Sequence, residues 1–345
     1  MKMLKIGVLL STLIFSIAFP LLFPNPAVVS IAIFSLLFAC TATGWNLFSG
    51  YTGYTSLGYG TYFGFGAYAM AFMCQDWNIP GGYIPFLLVP LAGLVASLFA
   101  IPLGWVSLRV RGHTFVIVTI ATLFVFQLLA YNLQFLTEGE SGMLLPIPPW
   151  NAEEFGFPFY YVALVLVLVA LGVSWWVRHS RYGLCLLAIR DDEGRAQGLG
   201  IKTSIYKLVA FVIAAFFGGA VGSVVTYLTG SVFPEAAFNP AFDVAPALMV
   251  FLGGAATLTG PIIGALVLEP LQQYLILQFG AIGLDLILYG ALMLVVILQV
   301  PKGIVPTIQR LWAKRVTTRS IAALTTGRDG KEEALLGESG GSSKE

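Results

Sequence analysis

The chain has 345 residues, of which 58% are hydrophobic and only 10% charged, with a mean hydropathy of +0.87 and a formal net charge of +1. Soluble domains carry about 25% charged residues, so this composition excludes a soluble globular fold and makes lipid the solvent for most of the chain. Three cysteines, Cys40, Cys74 and Cys185, lie far apart in apolar surroundings. That spacing argues against a disulfide framework or a paired-cysteine metal site, and reads as small buried apolar side chains.

A spanning helix needs about 20 apolar residues. Runs of that order fall at about 6–23, 28–48, 57–74, 83–107, 114–136, 158–177, 206–229, 241–258, 260–279 and 283–300. They predict ten spans, or eight with two re-entrant pieces, because the third and eighth runs are short and broken by glycine. The first run follows Lys2 and Lys5 and has the basic start and apolar core of a signal peptide. Apolar sequence continues past Pro24 and Pro26 and no soluble exported domain follows, so it reads as a retained span. Lipid offers the backbone no hydrogen-bond partner, which leaves helices as the spanning structure for such runs. The expected fold is an all-α integral membrane protein, a polytopic helical bundle whose transmembrane domain covers residues 1–310.

Charge sets the orientation. With Lys2 and Lys5 inside and ten spans threaded, Arg109, Arg111, Arg178, Arg181, Arg190, Arg195, Lys202, Lys207 and every basic residue from Lys302 onward also fall inside, so all 18 Lys and Arg share one side. The other side receives Asp76, Glu138, Glu140, Glu153, Glu154, Glu235, Asp243 and Asp285. By the positive-inside rule the basic side is cytoplasmic, with both termini there. Residues 316–345 turn polar and read as a solvated, disordered tail.

Divided into two sets of five spans, the chain places its glycine-rich stretches in corresponding positions: Gly50 to Gly66 in the third span, Gly253 to Gly264 in the eighth. Five spans per half would make the halves an inverted pseudo-repeat. Interrupted segments at matching places point to a substrate path, for which Tyr54, Thr55, Ser56, Gly58, Gly254 and Thr257 are the candidates. The pairs Gly60–Gly64, Gly218–Gly222 and Gly260–Gly264 are read as close helix packing, and the hydroxyls are equally able to bond back to their own helix.

No GxxxxGK[ST] occurs, so the chain has no ATP site of its own, and no HExxH, nucleophile elbow or carboxylate pair suggests an enzyme. Catalytic residues, metal and cofactor are not expected. His113 and His179 read as interfacial residues at the inner ends of spans. Glu269 lies at mid-depth in the ninth run, beside Pro270. An ionisable group there is a functional candidate for the path, with a hydrogen-bonded structural acid as the rival reading. Asn46, Gln127, Asn132, Gln272 and Gln273 read as interhelical hydrogen-bonding groups.

The segment 178–207 is the longest inner loop between spans. Its pattern predicts a helix over Leu184 to Arg190, an acidic turn at Asp191, Asp192, Glu193 and Gly194, and a second short helix ending near Gly198 and Gly200. Charged helices lying along a membrane surface can seat on a soluble partner, where a bare connector needs none.

Five stretches appear in order: "GYTGYTSLGYGTYFGFGAYA", "LRVRGHTFVIVTIATL", "SRYGLCLLAIRDDEGRAQGLGIKTSIYKLVAFVIAA", "VFLGGAATLTGPIIGAL" and "VPKGIVP". Together they resemble the permease subunits of branched-chain amino acid ABC importers over about residues 30–306, most closely the longer of two paired permeases. The resemblance implies a pore shared with a second homologous permease, in a bacterial inner membrane. It also implies two cytoplasmic ATP-binding subunits, which bind ATP and magnesium, and a periplasmic or extracellular substrate-binding protein. It places Ser180, Gly183, Ala188, Ile189, Arg190, Glu193, Ala196 and Gly200 in the family's docking loop. Asp191, Asp192 and Gly194 fall where the wording differs slightly from the family's. "FLTEGESGMLLPIP" is more acidic than its family counterpart and is a candidate contact for the binding protein. The cargo implied is a branched-chain or other hydrophobic amino acid, and no nucleic acid. Two other readings remain open at this level: the same machine importing urea or a short amide, and an ion-coupled secondary transporter with Glu269 as proton carrier.

Overall fold

Lys2–Leu22 forms the first helix, α1, in a computed structural model that describes residues 2–151, 154–279, 290–291 and 303–307. Pro26, pre-set for a first helical turn, and Asn25, whose side chain accepts from the Ala27 amide, start α2 (Pro26–Trp45). A π-helical turn, Asn46–Gly50, continues α2 and widens its end. The chain then runs irregularly to α3 (Gly60–Asp76), followed by α4 (Ile84–Ser107), α5 (His113–Asn132) and the single turn α6 (Gln134–Thr137). Next come α7 (Gly156–His179), the short pair α8 (Arg181–Asp191) and α9 (Glu193–Gly198), and the longest helix, α10 (Thr203–Thr229). A single turn, α11 (Pro234–Ala237), precedes α12 (Ala241–Gly253) and α13 (Gly260–Phe279).

The helical bundle follows the apolar runs, but fewer of them qualify as spans than the ten expected: α1 and α13 are not among those that do, and the third and eighth runs are cut short by glycine. Among the described residues, six helical stretches are long and apolar enough to cross a membrane: Pro26–Gly50, Ile84–Ser107, His113–Asn132, Gly156–His179, Thr203–Thr229 and Pro234–Gly253. The third run yields a helix of only 17 residues, because the glycines of 53–58 leave the helix and α3 starts at Gly60. The eighth ends at Gly253, where Gly254 (φ 118°) adopts a backbone that side chains resist. The tenth run and the tail 316–345 lie outside the described residues.

At the centre α10 packs on α2, α3 and α4, while α2 carries α7 and α13 on other faces. The α3–α10 contact is as close as two backbones can come. A methyl group at Gly66 would overlap the Gly219 carbonyl, and one at Gly222 the Phe63 carbonyl. The packing expected of the Gly218–Gly222 pair therefore holds at Gly222, while Gly66, expected only as part of the interrupted stretch, packs as closely, and Gly60 has the Leu123 side chain as its nearest neighbour. The edges differ: α5 buries only one stripe, Phe115, Thr119, Leu123 and Ala130.

The two ends of the bundle are distinct. One is closed by a two-residue antiparallel ribbon, Met143–Leu144 with Ser231–Val232, and by Tyr227, whose hydroxyl bonds both the amide and the carbonyl of Gly82. The other carries Arg111, Arg178, α8 and α9, and both irregular segments, 53–59 and 254–259. Asp243, expected on the acidic side, is instead 1% exposed inside the bundle, because the 238–240 turn carries the start of α12 inward against α3.

Candidate functional site

At the basic end α8 starts on Ser180, whose Oγ accepts from the Gly183 amide at 3.2 Å. Gly183, Leu186 and Ile189, three residues apart, face the bundle, while Arg190 and Asp191 are exposed. The acidic turn shrinks to one residue. Asp192 is extended (φ −162°, ψ 107°) and its carboxylate caps α9, accepting from the Arg195 amide at 3.0 Å. Its ion pair with the exposed Arg195 side chain at 3.0 Å contributes little in water. Glu193 and Gly194 belong to the first turn of α9, and Gly200 (φ 85°) ends the pair in open space. Leu184 in α8 and Leu199 at the end of α9 are exposed apolar side chains.

Glu193 turns inward. Its Oε1 accepts from Lys207 Nζ at 2.7 Å and from the Thr203 hydroxyl at 3.2 Å, and its Oε2 accepts from the Tyr54 hydroxyl at 2.5 Å. Lys207 Nζ also donates to the Tyr54 hydroxyl at 3.1 Å and sits 4.3 Å from the centre of its ring. Arg111 Nε approaches Oε2 at 3.5 Å from the start of α5. Partial burial pushes the Glu193 carboxyl up, but the Lys207 and Tyr54 hydrogen bonds and the charges of Lys207 and Arg111 outweigh it and hold it below the usual carboxylate range. Lys207 is 2% exposed, so this pair is desolvated on the lysine side and resists separation.

The geometry thus brings together Tyr54, a path candidate, and Glu193, a docking-loop candidate. Gly53 (φ 77°) seals the same junction, since the Arg190 Cγ lies 3.1 Å from where its Cβ would be. Lys207 and Arg111 entered the sequence reading only as inner-side charges. The available signal was Lys207 inside the apolar run 206–229, where an unpaired cation is expensive. A cavity of about 520 Å³ opens beside the junction, lined by Tyr54, Thr55, Arg111, His113, Asp192 and Glu193.

The second irregular segment hangs on the same end of α2. Asn46, 0% exposed, donates to the Thr257 carbonyl at 3.0 Å and accepts from the Ala256 amide at 2.8 Å. Trp45 Nε1 donates to the Ser56 carbonyl at 2.9 Å, and Arg178 to the Ala256 carbonyl at 2.9 Å. The two glycine-rich interruptions therefore meet through Trp45 and Asn46. Asn46→Leu strands one part-buried amide and one part-buried carbonyl, and is expected to cost about 1–3 kcal/mol, read as a lower thermal midpoint of the purified protein in detergent.

The other candidates are placed as follows. The Thr257 hydroxyl donates to the Gly254 carbonyl at 2.6 Å and accepts from the Gly260 amide at 3.0 Å, so it caps α13. Ser56 is buried, its hydroxyl unpartnered among the described residues, and Gly58 packs on the Thr119 carbonyl. Glu269 is 1% exposed, accepts from Gln273 at 2.9 Å, and has no ion pair among the described residues. Of the amides expected to bond between helices, Asn46 instead holds the irregular segment 254–259, and Asn132 and Gln273 bond within their own helices, to the Leu128 carbonyl and Glu269. A side chain one turn away on the same helix is already within reach, so no neighbouring helix is needed.

The sequence profile of a family described as the permease component of the branched-chain amino acid transport system matches residues 27–297. The chain belongs to this permease family. The match spans both interruptions, α8 and α9, and each of Asn46, Tyr54, Arg111, Glu193 and Lys207. Curated relatives include the high-affinity branched-chain amino acid transport system permease protein LivM of Salmonella typhimurium, 28% identical over 324 residues, covering 86% of this chain and 74% of the relative. LivM of Escherichia coli K12 matches to the same extent. The permease protein LivH of Escherichia coli K12 is 25% identical over 285 residues, covering 77% of this chain and 90% of the relative. No solved structure matches the chain.

Proposed function

We propose that this permease is the membrane-spanning subunit of an ATP-binding-cassette importer for branched-chain or other hydrophobic amino acids. Its basic end faces the cytoplasm of a bacterial inner membrane. Two ATP-binding subunits drive it, one of them seated on the exposed surface of α8 and α9, with Arg190, Asp191, Asp192, Gly194, Leu184 and Leu199 as contacts. A second homologous permease completes the path, a reading supported by similarity of this one chain to both LivM and LivH. An external binding protein delivers the cargo.

The observation that carries this reading is the Glu193–Lys207–Tyr54 junction. A load applied to α9 passes through Glu193 to Tyr54, and so into segment 53–59. From there Ser56, Trp45 and Asn46 connect it to segment 254–259. A helix pair tied to α10 by a partly desolvated ion pair, and through the Tyr54 hydroxyl to an irregular segment, moves that segment with it, which is the kind of shift alternating access requires. Tyr54, Thr55, Ser56, Gly58, Gly254, Thr257 and Glu269 are assigned to the path or its immediate walls.

The test is uptake by proteoliposomes holding the assembled importer. Arg190→Glu combined with Leu199→Glu is expected to lower ATP-dependent uptake at least about tenfold, as loss of interface anchors does, with the two permeases still assembled. Unchanged uptake by that variant, or accumulation against a gradient by the purified chain alone, overturns the assignment.

A further inference from the structure

The first turns of α3 and α12 meet in the interior of the bundle, and neither helix begins with a side-chain cap from its own preceding residue. A helix N-terminus carries roughly half a positive charge; here the Thr61, Tyr62, Phe242 and Asp243 amides bond carbonyls of the preceding turns, and the Gly60 amide is left for a side chain. Asp243 lies between the two. It stands in the first turn of α12, where a carboxylate complements the dipole of its own helix. Its Oδ1 accepts from the Gly60 amide of α3 at 2.6 Å, and the Tyr59 amide faces the same carboxylate.

The rest of the side chain is isolated. Asp243 is 1% exposed, and among the described residues its Oδ2 has no hydrogen-bond partner and the side chain makes no ion pair. Phe242 beside it stacks on Phe63 at 3.9 Å and on Phe38 at 5.8 Å, which makes a water-poor wall. A carboxylate stripped of water and cations is costly to hold. The opposite charge within reach is that of the two helix ends, acting at short range in a medium of low dielectric.

We propose that Asp243 is an internal counter-anion: the start of α3 forms an anion site, and the first turn of α12 fills it with the chain's own carboxylate. The side chain thereby positions the two helix starts against each other. It also keeps their combined positive end from retaining the carboxylate of a passing zwitterion, a consequence that rests on the transport reading above. Cut back, the site would take a small monovalent carboxylate.

The experiment is anion rescue of thermal stability, measured on the full-length chain purified with its partner permease in nanodiscs. D243A is expected to lower the unfolding midpoint by roughly 5 °C. Sodium formate should restore at least half of the loss, while formamide, of similar size and neutral, and sodium sulfate at equal ionic strength should not. D243N keeps the shape and one acceptor for Gly60 but drops the charge, and should retain at least half of the loss. A D243N midpoint equal to wild type, or rescue by formamide as complete as by formate, overturns the proposal and leaves Asp243 a neutral hydrogen-bond partner. Should D243A not be recovered folded, the D243N midpoint decides. Because the readout is stability, a failed transport assignment leaves this result standing, and the converse also holds.

Discussion

Lys207→Met is expected to destabilise the protein by about 3–5 kcal/mol, the usual cost of removing one partner from a buried ion pair. The substitution leaves Glu193 with the Tyr54 and Thr203 hydroxyls and with Arg111, whose own side chain is 60% exposed and a weak substitute. Glu193→Gln should cost a comparable amount, because it strands a cation that is 2% exposed. Lys207→Met with Glu193→Gln removes both charges, and is expected to recover most of the loss, since a well-packed neutral pair is often as stable as the ionic one. Its uptake should nevertheless stay low, because the directional bonds to Tyr54 are weakened. A double-mutant cycle in thermal midpoint, run beside uptake, separates the two effects. Full uptake by the double variant would show that the junction carries no motion.

The pH dependence of this junction has a definite sign. The Glu193 carboxyl is held below the 4.5 of a free glutamate, so the folded state binds its proton less readily than the unfolded chain does. The stability it contributes is then fully present above about pH 4.5 and is lost as pH falls through the lower folded value. Midpoints of wild type and Glu193→Gln should differ by a constant amount from pH 8 down to about 5, and converge only in strong acid. A difference that shrinks already between pH 7 and 6 would contradict the charge assignment.

Gly66→Ala is expected to have the second large effect, about 3 kcal/mol or more. The added methyl overlaps the Gly219 carbonyl of α10, and backbone, unlike a side chain, has no rotamer to move to. Relief requires α3 and α10 to part, which also disturbs Gly222 against Phe63. Gly172→Ala in α7, where nothing lies within 4 Å of the new methyl, serves as the matched control and should leave the midpoint unchanged or slightly raised. Equal behaviour of the two variants would mean that α3 and α10 are not in backbone contact.

The helical membrane class, the approximate helix positions and the family were all legible in the sequence. Apolar length and the one-sided placement of basic residues depend on local composition alone, and local composition is what a sequence displays. The α8–α9 pair was legible for the same reason, as a break between charged and apolar faces, although the break is Asp192 alone rather than an acidic turn. Glycine density marked both interruptions, because glycine is what an irregular backbone inside a membrane requires.

What the sequence by itself determined, then, was which segments are helical, where they break and which end is basic. Only the tertiary structure decided which breaks touch and through which atoms. Tyr54 and Glu193 are 139 residues apart, Lys207 and Tyr54 153, and Asn46 and Thr257 211. No periodicity or local propensity encodes such pairs. A buried charge or amide announces that it needs a partner, but the packing of α2, α3, α10 and α12 chooses which one it gets. Asp243 shows the limit most plainly. The sequence placed it among the outer-side acids at the start of an apolar run, and its location is set by the close approach of two helix starts in the folded bundle.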